Sequence, residues 1–69
     1  MDIEMHKNYD GAMMALVKAM DSLTVAQGKC YKLGVDDLII DRLRELQGEI
    51  KKQRILIDNF FLNYMETEP

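Results

Sequence analysis

The side chains able to do covalent or acid–base chemistry are few in this chain, and they are scattered. Cys30 is the sole cysteine and His6 the sole histidine. No second His or Cys stands near His6 at ligand spacing, so no metal site is marked. A single cysteine excludes an internal disulfide. Cys30 reads as a small buried hydrophobe at a helix seam, with an intermolecular disulfide or a reactive thiol as the alternative. Asp36, Asp37, Asp41 and Glu45 gather near one helix start, where capping and solvation account for them. Lys51, Lys52 and Arg54 form a short basic group that Glu45 and Glu49 offset. Gly-rich phosphate loops, CxxC pairs, HExxH and nucleophile-elbow motifs do not occur. These residues predict no enzyme, no cofactor and no small-molecule substrate.

What remains is a chain built for packing. With 69 residues it forms at most one small domain, a size at which a lone core is marginal without a staple, a metal or oligomerisation. The net charge of −3 argues against a binder of phosphate backbones, although a dimer could gather the basic group into an RNA-binding face. No apolar run approaches the ~20 residues that span a bilayer. The opening MDIEMHKNYD lacks the pattern of a signal peptide, which predicts a cytoplasmic protein.

The elements follow from the apolar stepping. From Tyr9 it advances by alternate steps of four and three through Met13, Leu16, Met20, Leu23, Gln27 and Cys30, a heptad-like helical seam. Asn8 or Asp10 can cap its start, and the helix is expected to run over about residues 8–33. Ala12, Ala19 and Ala26 flank the seam at seven-residue spacing. They would let a neighbouring helix approach closely, or they are simply good helix formers. Gly34 supplies a left-handed helix stop, Val35 packs back on the last turn, and Asp36 caps the next helix. Val35 and Ile40 fit a hydrophobic staple around that cap. So short a turn, over residues 33–36, makes the helices antiparallel. Helix two is then expected over about residues 37–65, with Ile39, Leu43, Leu46, Ile50, Gln53, Ile57, Phe60 and Tyr64 on its seam. Glu66, Thr67, Glu68 and Pro69 read as frayed. The fold class is all-α, an antiparallel two-helix hairpin of coiled-coil-like stepping.

Near the end of helix two the pattern carries a surplus. Between Ile55 and Met65 the segment ILIDNFFLNYM is mostly apolar, and at about 100° per residue it spreads around the whole helix. Ile55 and Leu62 point away from the seam, and Leu56 and Phe61 fall on its shoulders. One companion helix cannot cover all of these. Met14, Ile55, Leu56, Phe61, Leu62 and Met65 are therefore the predicted interface with a partner protein.

The Gly34-Val35-Asp36 turn between two long helices, the chain length, and the aromatic end formed by Ile57, Phe60, Phe61 and Tyr64 resemble the small co-chaperones of type III secretion needle subunits. The likeness spans about residues 12–64. It implies a hairpin that pairs with a larger helical-repeat chaperone and keeps a needle subunit soluble in the cytosol. The residues themselves predict a module that binds and stabilises a partner protein. They leave open a four-helix homodimer acting as a regulator, or a phage-type inhibitor of a host protein.

Overall fold

The computed structural model describes residues 3–67. It consists of two helices of equal length, α1 (Ile3–Leu33) and α2 (Asp37–Thr67), packed against each other. Side-chain bonds across the pair join Tyr9 to Asp58, Met20 to Arg54 and Gln27 to Gln47. Residue numbers rise on one helix as they fall on the other, so the hairpin is antiparallel. Its Cα envelope measures 55 × 16 × 8 Å, a single layer one helix thick.

The turn is built as its residues dictate. Gly34 has φ of +74°, a left-handed backbone that costs a residue with a Cβ roughly 1–2 kcal/mol. Its N–H donates to the Tyr31 carbonyl at 3.1 Å, and the Val35 N–H donates to the Cys30 carbonyl at 3.3 Å. This pair of bonds is a Schellman stop, which satisfies two carbonyls that the end of α1 would leave open. The Asp36 carboxylate then accepts from the Leu38 N–H at 3.0 Å, capping α2. Ile40, one turn into α2, is 8% exposed beside half-buried Val35, as a hydrophobic staple requires.

Both helices run further than their sequence limits suggested. α1 begins at Ile3, so Asn8 and Asp10 lie inside it rather than at its cap. The added turn is held from outside, because His6 packs edge-on against Phe61. α2 continues through Glu66 and Thr67, and the Thr67 hydroxyl donates to the Asn63 and Tyr64 carbonyls. Glu68 and Pro69 lie outside the described residues. Ion pairs on the outer face of α2 join Arg42 to Glu45 and Arg44 to Asp41. Exposed pairs of this kind contribute little to stability.

Half of the α2 seam lies one residue away from the predicted positions. Leu43, Ile50, Ile57 and Tyr64 are half-buried, as expected. In the other register Ile40, Gln47, Arg54 and Phe61 are the covered residues and Ile39, Gln53 and Phe60 are exposed, while Leu46 is half-buried as expected. Ile39 is 50% and Phe60 64% exposed, whereas Ile40 and Phe61 are the two buried side chains among the described residues. Counting apolar residues favoured the wrong register, since Gln47 and Arg54 are polar. Their bonds to α1 turn that register inward.

Gly34→Ala is expected to lower unfolding stability by about 1 kcal/mol, because nothing within 4 Å of the new Cβ offsets the backbone strain. Asp36→Ala should cost about as much through loss of the cap. Urea melts of the two variants check both values.

Candidate protein-binding surface

The open end of the hairpin is closed by three rings. Phe61 is 7% exposed and stacks on Tyr9 with ring centroids 4.1 Å apart and planes 9° from parallel. His6 meets the same ring edge-on at 5.1 Å and 79°. Phe61 therefore belongs to the hairpin seam and not to the predicted partner interface. It continues the seven-residue register of Ile40, Gln47 and Arg54, which brings it under α1.

Polar groups bridge the helices along one side. The Tyr9 hydroxyl donates to the Asp58 carboxylate. The Gln47 amide donates to the Met20 carbonyl at 2.8 Å and to the Thr24 hydroxyl at 2.7 Å, and its oxygen accepts from Gln27 at 2.7 Å. Thr24 passes its own proton to the same Met20 carbonyl. The Arg54 guanidinium reaches the Met20 sulfur at 3.6 Å, while its Nε is buried without a hydrogen-bond partner. Hydrogen bonding to Asp58 holds the Tyr9 phenol above its ordinary pKa of 10.0. Burial and the charges of Asp58 and Asp10 act in the same direction, and Arg54 opposes them.

Two apolar grooves run between the helices, and none of Thr24, Gln27, Gln47 or Arg54 lines them. One of about 410 Å³ is lined chiefly by Leu16, Leu23, Leu46 and Ile50, with Glu49 and Lys52 at its edge. The other, of about 250 Å³, lies toward the open end against Met5, Tyr9, Ala12, Ile57, Phe60 and Phe61. On a helical projection their lining residues fall on the same side of each helix, so the two grooves make one face. The half-buried seam residues Leu16, Leu23, Leu46 and Ile50 are covered from the bridged side and open on this one.

The residues predicted to meet a partner do not form a single patch. Met14, Ile55, Leu56, Leu62 and Met65 are all exposed. Leu56 stands one turn before Phe60, at the rim of the groove face. Ile55 and Leu62, seven apart, lie along the outer flank of α2, with Met65 one turn beyond. The groove face itself was missed. Its signal was the set of apolar positions at Ile39, Leu46 and Phe60, assigned instead to the seam between the helices.

Among the described residues no three His, Cys, Asp or Glu side chains come together as metal ligands, and Cys30 is a half-buried free thiol. No helix among them is long and apolar enough to cross a membrane. The chain defines an all-α hairpin that exposes apolar surface along its length. No known protein family, curated protein or solved structure matches it.

Phe61→Ala should destabilise the hairpin by about 3 kcal/mol, enough to unfold so thin a structure, whereas Phe60→Ala should leave its helicity unchanged. Circular-dichroism melts of the two variants separate seam from surface. For Tyr9 the raised folded pKa makes its contribution to stability whole below pH 10 and lost as pH rises past that value. Stability should fall over that range in the natural chain. In Tyr9→Phe the fall should be shallower, which urea midpoints across the same pH series will read.

Proposed function

We propose that this chain is a non-enzymatic interaction module that binds and stabilises a partner protein by burying apolar helix surface against it. One observation carries the reading: only Ile40 and Phe61 are buried among the described residues, while Met14, Ile55, Leu56, Phe60 and Leu62 are each at least half exposed. Exposed apolar side chains clustered along one helix flank of a small protein mark an interaction site. A helical segment offers such a surface to another helix or groove through side chains at seven- and four-residue spacing. The flank formed by Ile55 and Leu62, with Met65 one turn beyond, has that form. It lies clear of the contacts that hold the hairpin together, so a partner can take it without unfolding the chain.

The likeness in length, turn and aromatic end to the small co-chaperones of type III secretion needle subunits gives this reading its most concrete version. The hairpin would act in the cytoplasm as one member of a complex that shields an aggregation-prone subunit before export. Its own role would be structural, since covering apolar surface requires no catalytic group.

Ile55→Glu combined with Leu62→Glu tests the binding role. Each fully buried aliphatic contributes roughly 1.5–3 kcal/mol. The double variant should therefore retain its helicity and lose at least tenfold in affinity for a protein captured by the natural chain from its own cells. Capture of a needle subunit together with a helical-repeat chaperone would assign the secretion role. Equal recovery by the natural chain and the variant would overturn the flank as the binding surface.

A further inference from the structure

α2 carries two adjacent heptad registers. Ile40, Gln47, Arg54 and Phe61 face α1. Ile39, Leu46, Gln53 and Phe60 turn toward the groove side, where the last three line the grooves. A helix with one neighbour uses two positions of each heptad, whereas a helix inside a bundle uses a third. α1 has the same third position in Met5, Ala12, Ala19 and Ala26, and Met5 and Ala12 meet Phe60 across the groove. Both third registers help line the grooves, away from the bridges that Gln47 and Arg54 make to α1.

We infer that a second copy of this chain covers the groove face, producing a two-fold symmetric four-helix dimer. The inference goes beyond the binding role proposed for the Ile55–Leu62 flank, which stays uncovered in such a dimer. The exposed area supports it. The hairpin presents 5487 Å² to solvent, whereas a compact monomer of 8.0 kDa would present about 4,500 Å². The surplus is about 1,000 Å² per chain, so hiding it in a pair matches the ~1,200–2,000 Å² buried in stable interfaces. A face of 55 by 16 Å is also large enough to supply the ~800 Å² per partner of a standard interface.

The charges at the groove edge are self-complementary. Glu49 and Lys52 are three residues apart and opposite in sign. A two-fold axis crossing the layer between them lays α2 antiparallel on α2 of the other copy. It then pairs Glu49 of each copy with Lys52 of the other. The midpoint of Asp37–Thr67 is residue 52, so this axis lies about 2 Å from the centre of the helix and the copies overlap over nearly their whole length. The alanines at seven-residue spacing on α1 leave room for the second layer to approach closely.

Sedimentation equilibrium of the full chain tests the inference across the micromolar range. The natural chain should be a dimer. Phe60→Glu, at a position exposed within the hairpin, should weaken it at least tenfold. Glu49→Lys alone and Lys52→Glu alone should each weaken it by about tenfold, through lost attraction and new repulsion at two symmetric sites. The double variant E49K/K52E should restore the natural affinity. Because the double variant also restores the pair within α2, the reading between copies comes from mixing. E49K and K52E together should form a heterodimer tighter than either alone, since only contacts between copies then join opposite charges. A monomer, a higher oligomer, or a dimer indifferent to these changes would overturn the arrangement, as would weakening without rescue. A monomer that still captures a partner protein would overturn this inference alone. A dimer that captures none would leave it standing and overturn the binding role.

Discussion

A layer one helix thick has no interior. Two helices of equal length joined by three residues share a line of contact, and every side chain on that line keeps at least one flank open to water. The energetics of this protein follow from that geometry. Burial is concentrated where the line can be closed, at Ile40 beside the turn and at Phe61 under the rings of Tyr9 and His6. Between them Leu16, Leu23, Leu43, Leu46 and Ile50 are half covered. Apolar area removed from water is the main favourable term in folding, and it must offset the ordering of every residue in both helices. A line of half-covered side chains leaves the balance thin, and adding a second layer is the direct way to improve it.

Polar contacts decide which flank stays open. Gln47 and Arg54 stand at seam positions where a purely hydrophobic pattern would place aliphatic residues, Asp58 lies beside that seam, and each meets a named group on α1. Hydrogen bonds of this kind contribute about 1 kcal/mol or less net, but they are directional. By fixing the rotation of α2 about its axis, they send Leu46 and Phe60 to the opposite side. The consequence is a two-sided ribbon, bridged by polar groups on one side and lined by apolar grooves on the other.

The turn was the most legible part of the sequence, because Gly34, Val35, Asp36 and Ile40 each have a local role that a few neighbouring atoms define. The existence and length of the helices were legible from periodicity, but their ends were not. α1 gains its first turn from His6 against Phe61, a contact across more than fifty residues of chain that no local pattern reveals. The inward face of α2 was half legible. Leu43, Ile50, Ile57 and Tyr64 were placed correctly, while Ile39 and Phe60 were preferred to Ile40 and Phe61 because their register contains more apolar residues. The amide of Gln47 and the guanidinium of Arg54 outweighed that count through partners on the other helix. Ile55 and Leu62 were correctly set apart from the seam, since two residues pointing directly away from it cannot be reached by a single neighbour.

The ring stack at the free ends has a mechanical consequence. An antiparallel pair tied by a turn would ordinarily peel apart from its termini, since contacts there are farthest from the covalent tie and the least costly to separate. Here three packed rings sit at that end, opposite the staple at Val35 and Ile40. Each end thus anchors the other, and the weak middle stretch is held under two clasps. Separation from the free end must first break the ring stack, so the outer surfaces are held apart at both ends of the pair.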